Sequence, residues 1–171
     1  MKLFERVLES RMRARLELLG MIPDAQNGFR QDRGTHMPVF VLRELLLQRA
    51  RHDLPGCVAL IDLKKAYDLV WRDALWVKLH DIGIRGKMWT MVRNLCQGVQ
   101  TRVRTGVNEF SDWFENGKGV RQGSVLSPLL FIIYMADFIE QIEKLGVGYF
   151  VNVTSGGRVN PLDARSCVTN H

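Results

Sequence analysis

The sequence predicts an α/β (α+β) domain, with five helices set among a few short strands. Three observations carry this expectation. Apolar residues recur at helical spacing in separate segments, one short run is apolar without a break, and one stretch alternates in the manner of a strand.

Lys2 to Leu19 has apolar residues at Leu3, Phe4, Val7, Leu8, Met12, Leu16 and Leu19, which is a helical period, and Gly20 stands where a helix stop belongs. Gly20 to His36 is polar and rich in turn residues. A second helix is expected from about Pro38 to Arg51, carrying Phe40, Leu42, Leu45 and Leu46, until Leu54-Pro55-Gly56 breaks it. Cys57 to Asp62 is continuously apolar up to its final carboxylate, the pattern of a central strand. Two more helices are expected at Arg72 to Asp81 and Gly86 to Gln97, separated by Gly83. Gln100 to Thr105 alternates and pairs with Glu109 to Phe114 as a hairpin around Gly106 and Asn108. Ser127 caps a last helix, with Pro128 in its first turn, that runs to about Leu145. Val147 to Val153 reads as a final strand, and from Thr154 the chain has neither period nor core face.

A chain of 171 residues is long enough to bury a real core. Its formal charge of +6 is concentrated, because Ile84 to Arg121 holds seven Lys and Arg against three acids. Such a basic stretch suits a polyanion partner without specifying one. Cys57, Cys96 and Cys167 are scattered, so neither a zinc spacing nor a disulfide framework is present, and a reducing compartment is expected, nuclear or cytoplasmic. Glu5, Arg6 and Glu9 interrupt any signal core at the N-terminus, and the apolar run Pro128 to Ala136 is too short to span a bilayer.

Two strings carry the chemistry. In ALIDLKKAYDLVW, Asp62 ends an apolar run and Tyr67 follows five residues on. A carboxylate at the mouth of a strand can anchor a magnesium ion, which is usually held by one or two carboxylates and by substrate phosphates. It can equally cap the next turn. Tyr67 can lie flat against a nucleotide sugar and exclude a 2′-hydroxyl, or pack in the core. In GVRQGSVLSP, glycines let a ligand approach the backbone while Arg121 and Gln122 project from the turn. The helix start at Ser127 and Pro128 adds free amides and a positive dipole end. Arg102 and Arg104 flank Val103 and share a strand face, where they either follow a nucleic-acid backbone or are simply solvated.

Asp62, Lys64, Lys65, Ala66, Tyr67, Asp68 and Val70 resemble the D-x-x-K-A-Y/F-D-x-V signature (motif A) of non-LTR, LINE-type retrotransposon reverse transcriptases. The following LWVKLHDIGIRGKMW, the motif B string RQG-x-x-x-SP and the segment QNGFRQDRGT (Gln26 to Thr35) resemble the same family. The resemblance implies a right-hand polymerase fold, with residues 1–56 as partial fingers and 57–153 as partial palm, and residues 154–171 read as an unstructured or aberrant tail. It implies RNA-directed DNA polymerisation by a two-metal mechanism, with an RNA template, a DNA primer, deoxynucleotides and Mg2+ (or Mn2+). By that likeness Asp62 and the Leu63 carbonyl hold metal, and Tyr67 gates the sugar. Gln122 and Gly123 contact nucleotide and template, with Arg121 in support, and Arg30 and Arg33 clamp the triphosphate. A turn pinned by Arg-Asp pairs with Asp24 or Asp32 is the alternative for those two arginines.

The family's motif C, an aromatic-Ala-Asp-Asp hairpin, has no match after Val153, and Asp163 stands without a partner acid. These residues alone are therefore expected not to polymerise. A catalytically dead nucleic-acid-binding fragment and a poorly folding pseudogene product are the alternatives.

Overall fold

The computed structural model describes residues 2–144. They divide into two compact units, one made of residues 2–23 and 64–140, the other of residues 24–63 and 141–144. The expected strand at Val147–Val153, the tail beyond it, Asp163 and Cys167 lie outside the described residues.

The first unit begins with α1 (Lys2–Leu18). Of its apolar positions only Leu8, Met12 and Leu16 are buried, a single stripe at four-residue spacing. Leu3, Phe4, Val7 and Leu19 are exposed. The stripe extends one turn further to Glu5, a carboxylate only 2% exposed. Gly20, at φ 61°, ends the helix: its N–H donates to the Glu17 carbonyl at 3.1 Å and the Met21 N–H to the Leu16 carbonyl at 3.0 Å. This is a paired left-handed stop that glycine makes at no steric cost.

The same device closes α3 (Arg72–Asp81), where Gly83 N–H reaches the His80 carbonyl and Ile84 N–H the Leu79 carbonyl at 2.8 Å. The chain then turns into α4 (Gly86–Cys96), and the Trp89 indole N–H donates to the Trp76 carbonyl at 3.0 Å, tying the two helices. Leu75, Leu79, Ile84 and Val92 are fully withdrawn from water along this hairpin. Each such side chain contributes roughly 2 kcal/mol by burial.

β1 (Gln100–Thr101) and β2 (Phe114–Glu115) form a two-stranded antiparallel sheet, Gln100 facing Glu115 and Thr101 facing Phe114. Further along, Arg104 bridges Phe110, so Arg102 and Val103 oppose the three residues Ser111, Asp112 and Trp113. One residue too many on the second arm is a bulge, and it explains why the expected long hairpin is a broken ladder. The Ser111 hydroxyl accepts the Val103 N–H at 2.9 Å where a carbonyl would otherwise stand.

α5 (Ser127–Lys144) is the core helix. Leu129, Leu130, Phe131, Ile132 and Ile133 are all buried, a helix apolar all round over its first turns. The expected capping role of Ser127 is corrected: its hydroxyl donates to the Arg121 carbonyl at 2.6 Å and so ties the helix start to the preceding turn.

In the second unit, α2 (His36–Arg51) opens two residues before Pro38, which is its one buried residue, and Phe40 and Leu46 are exposed. The Arg49 side chain donates to the Pro55 carbonyl at 2.6 Å. The central strand expected at Cys57–Asp62 does not form. Its Leu60 and Ile61 are 76% and 63% exposed. A buried strand needs a ladder partner for its amides and carbonyls. Among the described residues the only strands are β1 and β2, which pair with each other.

Cys57 is exposed and Cys96 buried, with burial pushing the Cys96 thiol above its ordinary range against the pull of Arg72 and Arg121. In a Cys167→Ser variant, one thiol should react promptly with an aromatic disulfide reagent at neutral pH and the second only on unfolding. Equal rates for both would contradict the packing of α4.

Candidate functional site

Residues 64–69 fold as consecutive turns, with Asp68 and Leu69 N–H both donating to the Lys65 carbonyl at 3.0 and 3.1 Å. Lys65 takes a left-handed φ of 53° to allow this, and both Lys64 and Lys65 are exposed. The turns set the Tyr67 and Val70 carbonyls in line to accept the N–H groups of Val120 and Gly119, each at 2.8 Å. Two strings fifty residues apart in sequence are thereby joined backbone to backbone. The Arg72 guanidinium adds a third tie, donating to the Gly119 carbonyl at 2.7 Å.

The approach is closer than a side chain would permit. A Cβ on Gly119 would sit 2.8 Å from the Tyr67 carbonyl oxygen and 2.9 Å from the Asp68 Cα, and φ there is 83°. Gly123 differs: its φ of 78° needs glycine, but a Cβ would meet nothing within 4 Å.

On this seam the side chains of the two strings also meet. Gln122 Nε2 donates to Asp68 Oδ1 at 2.9 Å. Asp68 is thus the partner that orients Gln122. Tyr67 is half-buried with its ring edge against Phe131, centroids 5.2 Å apart. Burial raises its phenol pKa, so the ring stays neutral near neutral pH. Core packing, one of the two alternatives for Tyr67, is present.

Arg121 points back rather than out, with Nη2 3.2 Å from Glu5 Oε1. Glu5 Oε2 accepts from the Ser124 hydroxyl at 2.9 Å and the Val125 N–H at 3.0 Å. Sequence reading missed Glu5 and Arg72 altogether. The only sequence signal for Glu5 was its place in register with Leu8, Met12 and Leu16.

Arg102 stacks on two rings, its guanidinium carbon 3.9 Å from the Phe110 centroid and 4.7 Å from that of Trp113. Such contacts are worth about 1 kcal/mol and leave the cation accessible at the edge. Arg104 folds onto its own turn, donating to the Gly106 carbonyl at 3.1 Å.

In the other unit Asp62 and Leu63 are exposed, in chain without regular structure. Arg33 donates to the Asp24 carbonyl at 2.6 Å and to its Oδ1 at 3.0 Å, and Arg30 lies 3.8 Å from the same carboxylate with its side chain 9% exposed. The pinned turn, the alternative for these arginines, is therefore formed around Asp24. Among the described residues no three acids, histidines or cysteines come together as a metal site. No helix among them is long and apolar enough to cross a membrane.

Comparison with known proteins gives this geometry its context. Residues 1–152 match the family model described as reverse transcriptase (RNA-dependent DNA polymerase). The chain belongs to the reverse transcriptase family. It is 34% identical over 137 residues to the probable RNA-directed DNA polymerase from transposon BS of Drosophila melanogaster, covering 80% of this chain and 15% of that protein. It is 25% identical over 169 residues to the RNA-directed DNA polymerase from mobile element jockey of Drosophila funebris, covering 98% of the chain and 18% of the relative. Similarity of 25% over 148 residues extends to the Pol polyprotein of the type-1 retrotransposable element R2 of Popillia japonica, covering 86% and 20% respectively. The chain thus spans about a fifth or less of each of these relatives. No solved structure matches it significantly. The resemblance to non-LTR retrotransposon reverse transcriptases drawn from motifs A and B is borne out.

The seam predicts two unequal glycine effects. Gly20→Ala should cost about 1 kcal/mol in urea unfolding, the left-handed term alone. Gly119→Ala should cost about 3 kcal/mol or more, since backbone must also move. Equal losses would mean that the close approach at Gly119 carries no weight.

Proposed function

We propose that this reverse transcriptase chain contributes the nucleotide- and template-handling surface of an RNA-directed DNA polymerase, as partial fingers (residues 1–56) and partial palm (57–153) of a right-hand fold. The observation that carries the reading is the seam itself, which brings Tyr67, Asp68, Gln122 and Gly123 to one place. An aromatic ring, a primary amide and a flexible glycine are the groups that can meet a sugar, a base edge and an approaching backbone. In this reading Tyr67 excludes a ribose 2′-hydroxyl, while Gln122 and Gly123 face nucleotide and template. Arg121 supports the turn from behind. Arg102 and Arg104 follow the template-primer backbone, the first from its aromatic bed. Arg30 and, second to it, Arg33 are the finger arginines for a triphosphate, and both lie beside the Asp24 carboxylate.

Asp62, with the Leu63 carbonyl, is the residue for a divalent cation, Mg2+ or Mn2+. Two cations stabilise attacking and leaving oxygens in nucleotidyl transfer. One exposed carboxylate does not offset the repulsion between two such ions, and the described residues supply no acidic cluster beside it. With an oligo(dT)-primed poly(rA) template, dTTP and magnesium, the chain alone should incorporate no nucleotide above background. Sustained incorporation abolished by Asp62→Ala would overturn this.

A second reading, binding without turnover, is favoured by the basic stretch and the lack of an acidic cluster among the described residues. It predicts that log Kd for the same primer-template rises linearly with log salt, and that Arg104→Ala lowers the slope by about one, as expected for a lost phosphate contact. Binding that ignores salt would remove both arginines from the nucleic-acid surface.

A further inference from the structure

Glu5 is an ionisable residue at a core position, one helical turn ahead of Leu8 in the buried stripe of α1. A buried carboxylate is costly unless its oxygens are hydrogen-bonded, and an apolar residue would fill the stripe at no such cost. Here all three donors that meet it come from one short segment. Oε1 takes the Arg121 guanidinium, while Oε2 takes the Ser124 hydroxyl and the Val125 backbone N–H. Those donors bracket Gln122 and Gly123. The Val125 amide stands ahead of α5, where backbone N–H groups lack intrahelical acceptors, and Glu5 supplies one from a distant helix.

The segment has few other anchors. The Arg121 carbonyl accepts the Ser127 hydroxyl and, across the turn, the Ser124 N–H at 3.3 Å, Gln122 is held by its side chain to Asp68, and Gly123 has a left-handed backbone with open space around it. Without the carboxylate the turn from Arg121 to Val125 would keep these ties but lose the bonds that fix Ser124 and Val125 to α1. The guanidinium would also lose its anionic partner and be free to swing outward.

We propose that Glu5 is a positioning residue for this turn: its carboxylate fixes the backbone that presents Gln122 and Gly123, and holds Arg121 inward as a structural cation. The proposal deepens the nucleotide-handling reading and rests on it for its functional meaning. It assigns a role in the site to α1, a helix that carries none of the motif strings.

Amide hydrogen exchange resolved by NMR tests this in the full chain. In the wild type the Val125 amide should exchange at least tenfold more slowly than those of Gln122 and Gly123, for which no acceptor stands among the described residues; equal rates would overturn the proposal without any variant. Glu5→Met fills the same volume without an acceptor, so Val125 exchange should accelerate tenfold or more while Leu75 and Leu79 in α3 stay protected. Glu5→Gln keeps an oxygen for Val125 and should return its exchange to within about threefold of wild type. Wild-type protection of Val125 in Glu5→Met would show that the side chain is mere packing and would sink the idea. If Glu5→Met loses protection in α3 as well, the wild-type comparison still decides. Repeating the experiment with primer-template and dTTP separates the two levels. Missing extra protection at Gln122 and Gly123 would count against the nucleotide reading while leaving the Val125 result intact.

Discussion

Two backbone hydrogen bonds, from Gly119 to Val70 and from Val120 to Tyr67, join the two sequence motifs on which every functional reading of this chain turns. Backbone bonds constrain more than side-chain contacts, because they fix register as well as proximity. They also require that nothing stand between the chains, which is why Gly119 has no tolerance for a Cβ. Arg72 and the Gln122–Asp68 pair then act on a geometry already set. Beneath the seam, Phe131 and its neighbours on α5 provide the apolar floor against which Tyr67 rests.

The rest of the first unit can be understood as support for that seam. α3 and α4 close on one another through buried aliphatics and a tryptophan-to-carbonyl bond, and the stops of α1 and α3 use paired left-handed turns. α1 joins the same core through Met12 and Leu16 and offers a further buried position, Glu5, to the motif B turn. The cost of a buried carboxylate is offset by three donors, one of them charged.

Much of this was legible from sequence. All five expected helices form, α2 opening two residues early, because apolar period and turn residues are local signals. The motif strings led to the reverse transcriptase family because residue types at fixed spacing carry chemistry independent of packing. The strand at Cys57–Asp62 failed for a non-local reason. A continuous apolar run states that a segment could be buried, and says nothing of whether a partner strand lies beside it. The hairpin fared better, but the extra residue opposite Arg102 and Val103 has no compositional mark. Glu5 was illegible for the opposite reason: an acid in an amphipathic helix looks solvated, and only the fold reveals which acid lies on the buried stripe. Asp24 was legible, because a turn pinned by Arg-Asp pairs was one of the two readings for Arg30 and Arg33, and its carboxylate gathers both.

The central claim is that the motif A turn and the motif B turn behave as one body. The most direct measurement is the exchange rate of the Gly119 and Val120 amides in the intact chain, compared with core amides of α3. The account predicts rates as slow as those of Leu75 and Leu79, opening only with the whole unit. Rates as fast as those of the exposed hairpin tip around Asn108 would mean that the seam opens on its own, and would contradict it.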